Sequence, residues 1–271
     1  MSTNSTELSA RQSARAHPDA DKSAYVVALG DDALIAAQRM GEWIASAPQL
    51  EEDVALGNVA LDLLGQARGL LDHGGSLLDP PRSEDDLAYF RDEREFRNVQ
   101  LVERSWGREG GDFGVAVARL LILATYLREL YAALASSTDE TLAAVAAKAV
   151  KEVDYHRDHA TMWTLRLGDG TAESHERMQA ALDAEWRYVD ELFDGSFIPP
   201  ELLESGVAVD PAGLRDAFDR RIAEVVAEAT LALPEVPPAV TGGRRGVHTE
   251  QMGFLLAEMQ HLTRSHPGAT W

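Results

Sequence analysis

Prolines stand at 18, 48, 80, 81, 199, 200, 211, 234, 237, 238 and 267, and none occurs from 82 to 198. Proline lacks a backbone donor and clashes inside a helix, so it marks where helices cannot run. A long proline-free span rich in Ala, Leu, Glu and Arg therefore predicts helix. Strand signals are nearly absent: β-branched runs are few and no Asn-Gly or Asp-Gly hairpin separates alternating segments. The expected fold class is all-α.

The punctuation places helices at 24–46, 50–73, 84–103, 112–135, 139–167, 172–193, 210–232 and 249–265. Asp210-Pro211 and Thr249 are start signals, and Gly74-Gly75, Gly168 and Gly195 are stop signals. Short links at Pro48 and Ser136–Thr138 make their flanking helices antiparallel neighbours. Two long hairpins, 24–73 and 112–167, are thus joined by a crossover that carries another helix. That layout fits a ferritin-like four-helix bundle with added C-terminal helices, one domain over 23–271. Residues 1–22 are polar and read as a disordered tail.

Composition excludes several functions. With 45 Asp+Glu against 25 Lys+Arg the net charge is −20, which disfavours nucleic acid and anionic membrane surfaces as partners. No cysteine is present, so disulfides, Cys-bound zinc, iron–sulfur clusters and a thiol nucleophile are excluded. No apolar run is long enough for a membrane span. The polar first 22 residues lack the apolar stretch of a secretory signal, so the expected compartment is the cytoplasm.

The second helix carries apolar residues around most of its circumference, from Val54 to Leu71, and reads as buried. Its polar residues Asn58, Asp62 and Gln66 recur every fourth position and share one face. That face is either a wet edge or a stripe pointing into the bundle. The first helix offers Gln38, Arg39 and Glu42 at the same level, and an Arg39–Asp62 ion pair is the plain expectation. In the second hairpin, Lys148 to His159 is the only dense cluster of metal-binding side chains.

Di-iron bundles take a Glu from each of two helices and Glu-x-x-His from each of the others. Here Glu152 and His156 are four apart, Asp62 plus three is Gly65, and the 112–135 helix has Ala124 and Thr125 at mid-height. An intact iron pair is not expected. Glu42, Asp62, Lys148, Glu152 and His156 read instead as relic metal positions, with Lys148 supplying an ammonium in place of an ion. No catalytic or metal-binding residue is assigned.

Two further segments stand out. Thr241-Gly-Gly-Arg-Arg-Gly-Val-His-Thr-Glu250 leads into a helix, and Arg244, Arg245 and His248 there are either an anion cradle or a loop that docks a partner. Arg91–Asn98 is dense in charge around a lone Phe96 and reads as a solvated face or a contact strip.

These residues together resemble a known family. Gly30-Asp31, Gln38-Arg39-x-x-Glu42-Trp43, Ala60-Leu-Asp62-Leu-Leu-Gly-Gln-Ala-Arg68, Arg91–Asn98, Lys148–His156, Thr241–Glu250, Leu256–Gln260 and Pro267-Gly-x-x-Trp271 look like the ferritin-like C subunits of phenylacetyl-CoA 1,2-epoxidases. The resemblance covers Tyr25 to Trp271. It implies a non-catalytic subunit of a complex that epoxidises the ring of phenylacetyl-CoA in aerobic phenylacetate catabolism. The partner would be a catalytic A-type subunit holding the iron pair. A reductase with flavin and an iron–sulfur cluster would deliver electrons from NADPH, leaving no cofactor in this chain. It also suggests substrate or partner contacts at Glu95, Phe96, Arg97 and Asn98, with the turn Glu201, Leu202 and Leu203 as a weaker candidate. Ala124 replaces a carboxylate kept by some relatives. The competing readings are a self-sufficient di-iron oxidase using Glu42, Asp62, Glu152 and His156, and a CoA-binding helical module.

Overall fold

The computed structural model describes residues 18–107 and 111–269. Among them there are helices and no strand. The helices are α1 (Pro18–Gly41), α2 (Leu50–Ser76), α3 (Glu84–Tyr89), α4 (Gln100–Glu103), α5 (Phe113–Leu134), α6 (Glu140–Gly168), α7 (Ala172–Trp186), α8 (Val189–Leu192), α9 (Pro200–Glu204), α10 (Arg215–Glu228) and α11 (Glu250–Ser265), with 3₁₀ turns at Glu93–Glu95, Pro211–Leu214 and Gly243–Arg245.

The hairpins α1–α2 and α5–α6 pack into the expected four-helix bundle, and α7 and α10 lie against the second hairpin. Helix α5 is its buried spine: from Ala116 to Leu127 every side chain is buried, Arg119 included. Burial of that continuous apolar surface is the main driving force, at about 25 cal/mol per Å². Cap residues fix where the helices begin. Asp139 accepts the Leu142 N–H at the start of α6, and Thr171 with Ser174 forms a capping box on α7. No helix of the described residues is long and apolar enough to cross a membrane.

Several sequence expectations change. Residues 18–22, assigned to the tail, are the first turn of α1, where Lys22 Nζ bonds Asp139 Oδ2 at 3.0 Å. Residues 1–17 lie outside the described ones. Helix α2 runs through Gly74-Gly75 to Ser76, because those glycines serve close packing instead of stopping it. A Cβ on Gly75 would collide with the Arg82 carbonyl oxygen, and one on Gly74 would sit 2.6 Å from Val27 Cγ2.

The span 84–103 is not one helix. Its Arg97 and Val99 N–H groups donate to the buried carboxylates of Asp31 and Asp32 on α1, at 2.9 and 2.8 Å, and a helix would have used those donors internally. Finally, 172–193 breaks into α7 and α8, and 210–232 becomes a 3₁₀ turn followed by α10.

Candidate functional site

The polar stripe of α2 faces α6. His156 Nε2 lies 3.1 Å from Asp62 Oδ2, Gln66 Nε2 donates to Glu152 Oε2 at 3.1 Å, and Lys148 Nζ sits 3.2 Å from Glu152 Oε1. One turn further along α6, His159 Nε2 lies 3.0 Å from Glu52 Oε2. The stripe is neither wholly wet nor central: Asn58 is exposed, Asp62 half-buried and Gln66 buried. Burial pushes the His156 ring below the usual imidazole range, with Asp62 and Glu152 opposing that shift.

The expected Arg39–Asp62 pair does not form. Arg39 donates to the carbonyls of Glu103 and Gln251 and pairs with Glu42 at 2.6 Å, which ties Glu42 to the end of α1. Asp62 takes the histidine instead, because α6 and not α1 faces that side of α2. Lys148 is 73% exposed, so its ammonium points to solvent and does not occupy the bundle centre.

Glu42 is tied to Arg39 at the end of α1, and α5 presents buried Ala124 and Thr125 at mid-height, its carboxylate Glu129 lying near the far end. No group of three or more His, Asp or Glu among the described residues is arranged to hold a metal ion. The donor set does not fit an iron pair, since the mid-section of α5 offers a methyl and a hydroxyl where a carboxylate ligand is needed.

The segments around Phe96 and Arg244 meet in a buried polar network. Arg91 pairs with Asp31, and Arg244 Nη2 donates to Asp32 Oδ2 at 2.7 Å. Glu191 accepts the N–H groups of Gln100 and Gly243. His248 Nδ1 lies 2.7 Å from Glu103 Oε2. Phe96 is fully buried under the Arg91 guanidinium, 4.1 Å from its ring centroid. Asn98 donates to Glu103, Arg97 bonds the Arg94 and Phe96 carbonyls, and Glu95 accepts the Asp92 N–H.

This network overturns the anion-cradle reading of Arg244. Its guanidinium is buried and held by Asp32 and the carbonyls of Ala28 and Arg97, because the Asp32 carboxylate inside the bundle needs a counter-charge. Arg245 alone of the pair faces solvent, at 62% exposure, 3.8 Å from Asp194. The arrangement also removes Phe96 and Asn98 from any surface. The stretch 201–203 is no turn but lies in α9, where Leu202 is buried while Glu201 and Leu203 are exposed.

Sequence reasoning missed one surface. Helix α2, read as buried nearly all round, leaves Leu50, Val54, Leu61 and Leu64 exposed at 75%, 57%, 66% and 38%. With half-buried Gly57 they follow the alternating four-and-three spacing of a helix-pairing seam. Beside it runs a trough of about 430 Å³ floored by Leu34, Ala37 and Gly41 of α1 and rimmed by Ile44. The spacing was visible in the sequence, but an apolar helix face reads the same whether its partner is internal or external.

Residues 1–271 match the family model described as phenylacetic acid catabolic protein. The chain is also 44% identical over 249 residues to the C subunit of the 1,2-phenylacetyl-CoA epoxidase of Escherichia coli (strain K12), a match covering 92% of this chain and 98% of that one.

Proposed function

Because the chain belongs to the phenylacetic acid catabolic protein family, we propose that it is the structural, non-catalytic subunit of an oxygenase complex that epoxidises phenylacetyl-CoA. The iron pair belongs to a partner A-type subunit, and a flavin and iron–sulfur reductase brings electrons from NADPH. The chain works in the cytoplasm as a scaffold that holds the catalytic subunit.

The observation that carries this reading is the pairing of a carboxylate-free mid-section of α5 with an apolar outer seam on α2. Inside, Ala124 and Thr125 of α5 stand where a metal site would need a carboxylate, and His156 is spent on Asp62. Outside, Leu50, Val54, Leu61 and Leu64 are too many large apolar groups in one line to leave in water. A helix of the catalytic subunit laid along α2 would bury them, each contributing about 1.5–3 kcal/mol if fully covered.

Co-expression with the A-type subunit tests the reading. The expected result is one complex on size exclusion, with epoxidation only when both subunits and the reductase are present. Val54→Asp with Leu61→Asp should dissociate the complex while the thermal melt of the isolated chain stays close to wild type. Epoxidation by this chain with reductase alone, or near-stoichiometric iron in the purified chain, overturns it.

A further inference from the structure

At one end of the bundle the α1–α2 link, the start of α5, the end of α6 and the first turns of α7 enclose a cavity of about 290 Å³. It shares no residue with the polar line between α2 and α6 or with the outer seam of α2. An aromatic pair and aliphatic side chains make up most of its walls. Phe113 and Trp163 stand edge to face, 4.9 Å between centroids at 90°. Pro48, Leu167 and Met178 complete the apolar lining.

Arg177 also lines this cavity. Its Nη2 donates to Asp112 Oδ2 at 3.1 Å, and Nη1 stands 3.8 Å from the largely exposed Glu173 carboxylate, beyond hydrogen-bond distance. A guanidinium has five N–H donors, and with the Arg177 side chain 40% exposed the rest of this fork is open to solvent. A guanidinium edge open beside an apolar wall is suited to an oxygen-bearing anionic group.

We propose that this cavity is a binding site for a small aromatic carboxylate, its ring between Phe113, Trp163 and Met178 and its carboxylate on the open edge of Arg177. Size, wall and charge each select that class. The volume lies at the lower end of small-molecule pockets, about 300–1,000 Å³, which suits one ring and excludes a nucleotide. Offset and edge-on ring contacts favour an aromatic over an aliphatic occupant. The planar fork of arginine matches a carboxylate in two parallel hydrogen bonds. The site is independent of the oxygenase reading and stands or falls without it.

Ligand-observed fluorine NMR on the full chain tests the site with 4-fluorobenzoate and its neutral counterpart 4-fluorobenzamide. Wild type should bind the acid saturably and more tightly than the amide. Arg177→Gln should weaken the acid about tenfold or more and leave the amide unchanged, which also shows that the variant is folded. Leu167→Trp, which fills the cavity, should weaken both, whereas Arg245→Gln, at a solvent-facing side chain outside the cavity, should weaken neither. Absence of saturable binding to wild type overturns the proposal. Equal losses of acid and amide in Arg177→Gln, or undiminished binding to Leu167→Trp in a variant with a wild-type melt, overturn it as well.

Discussion

His248 and Glu103 form a buried pair whose geometry favours the protonated imidazole. Nδ1 lies 2.7 Å from Glu103 Oε2 and Nε2 lies 3.1 Å from the Phe96 carbonyl oxygen, with both side chains at 0% exposure. Two acceptors on one ring require a proton on each nitrogen. Burial opposes the charge, but the hydrogen bond and charge of Glu103, with the Phe96 carbonyl, outweigh it and raise the His248 pKa.

A raised folded-state pKa adds stability that is complete below the unfolded value of about 6.5 and disappears as pH rises through the folded one. His248→Gln should therefore cost about 3 kcal/mol at about pH 6, the scale of a broken buried pair, and less at about pH 9. Urea denaturation of both proteins at the two pH values measures the difference. A gap that stays constant with pH shows that His248 is neutral in the fold.

Arg244 and Arg245 are adjacent in sequence and opposite in environment. Removing Arg244 strands the Asp32 carboxylate, whose side chain is 6% exposed, so Arg244→Ala should destabilise by about 3–5 kcal/mol. Arg245→Ala should fall within about 0.5 kcal/mol of wild type, because its side chain faces solvent. Thermal melts of the two variants decide this, and equal effects would contradict the burial of Arg244.

Glycines of this chain divide by what surrounds them. Gly243 packs so closely that a Cβ would strike the Asn98 carbonyl oxygen and crowd the Val99 backbone, so Gly243→Ala should cost about 2 kcal/mol or more. Gly65 is exposed within α2 and a Cβ there meets nothing within 4 Å. Gly65→Ala should stabilise by about 0.5–1 kcal/mol through lower backbone entropy in the unfolded chain. Paired melts give both signs in one experiment.

The contrast explains which features the sequence disclosed. Helix positions in the bundle follow from local signals, so the proline-free span placed α5 and α6 to within one residue at each end. What failed depends on tertiary partners, most of them far away along the chain. The 84–103 segment breaks because its N–H groups serve Asp31 and Asp32, 66 and 67 residues earlier. Arg244 reads as a surface cation beside flexible glycines, yet its counter-ion is 212 residues away. Gly75 reads as a helix stop, while its purpose is the approach of Arg82 across a turn.

His156 carries a pH dependence opposite in sign to that of His248. Its side chain is 1% exposed, and burial lowers its pKa below that of the free ring despite Asp62 at 3.1 Å. A lowered folded-state pKa gives stability that is complete above the unfolded value of about 6.5 and is lost as pH falls, because the unfolded chain takes up the proton first. His156→Gln can still donate to Asp62 but cannot be protonated. Its stability relative to wild type should therefore improve steadily from about pH 7 to about pH 5. Taking the difference between the two proteins cancels the titration of the carboxylates they share. Denaturant midpoints across that range give the slope, and a difference independent of pH would mean that His156 keeps an unshifted pKa. With both histidines replaced, the acid and alkaline limbs should each flatten, which assigns the curvature near neutrality to these two rings.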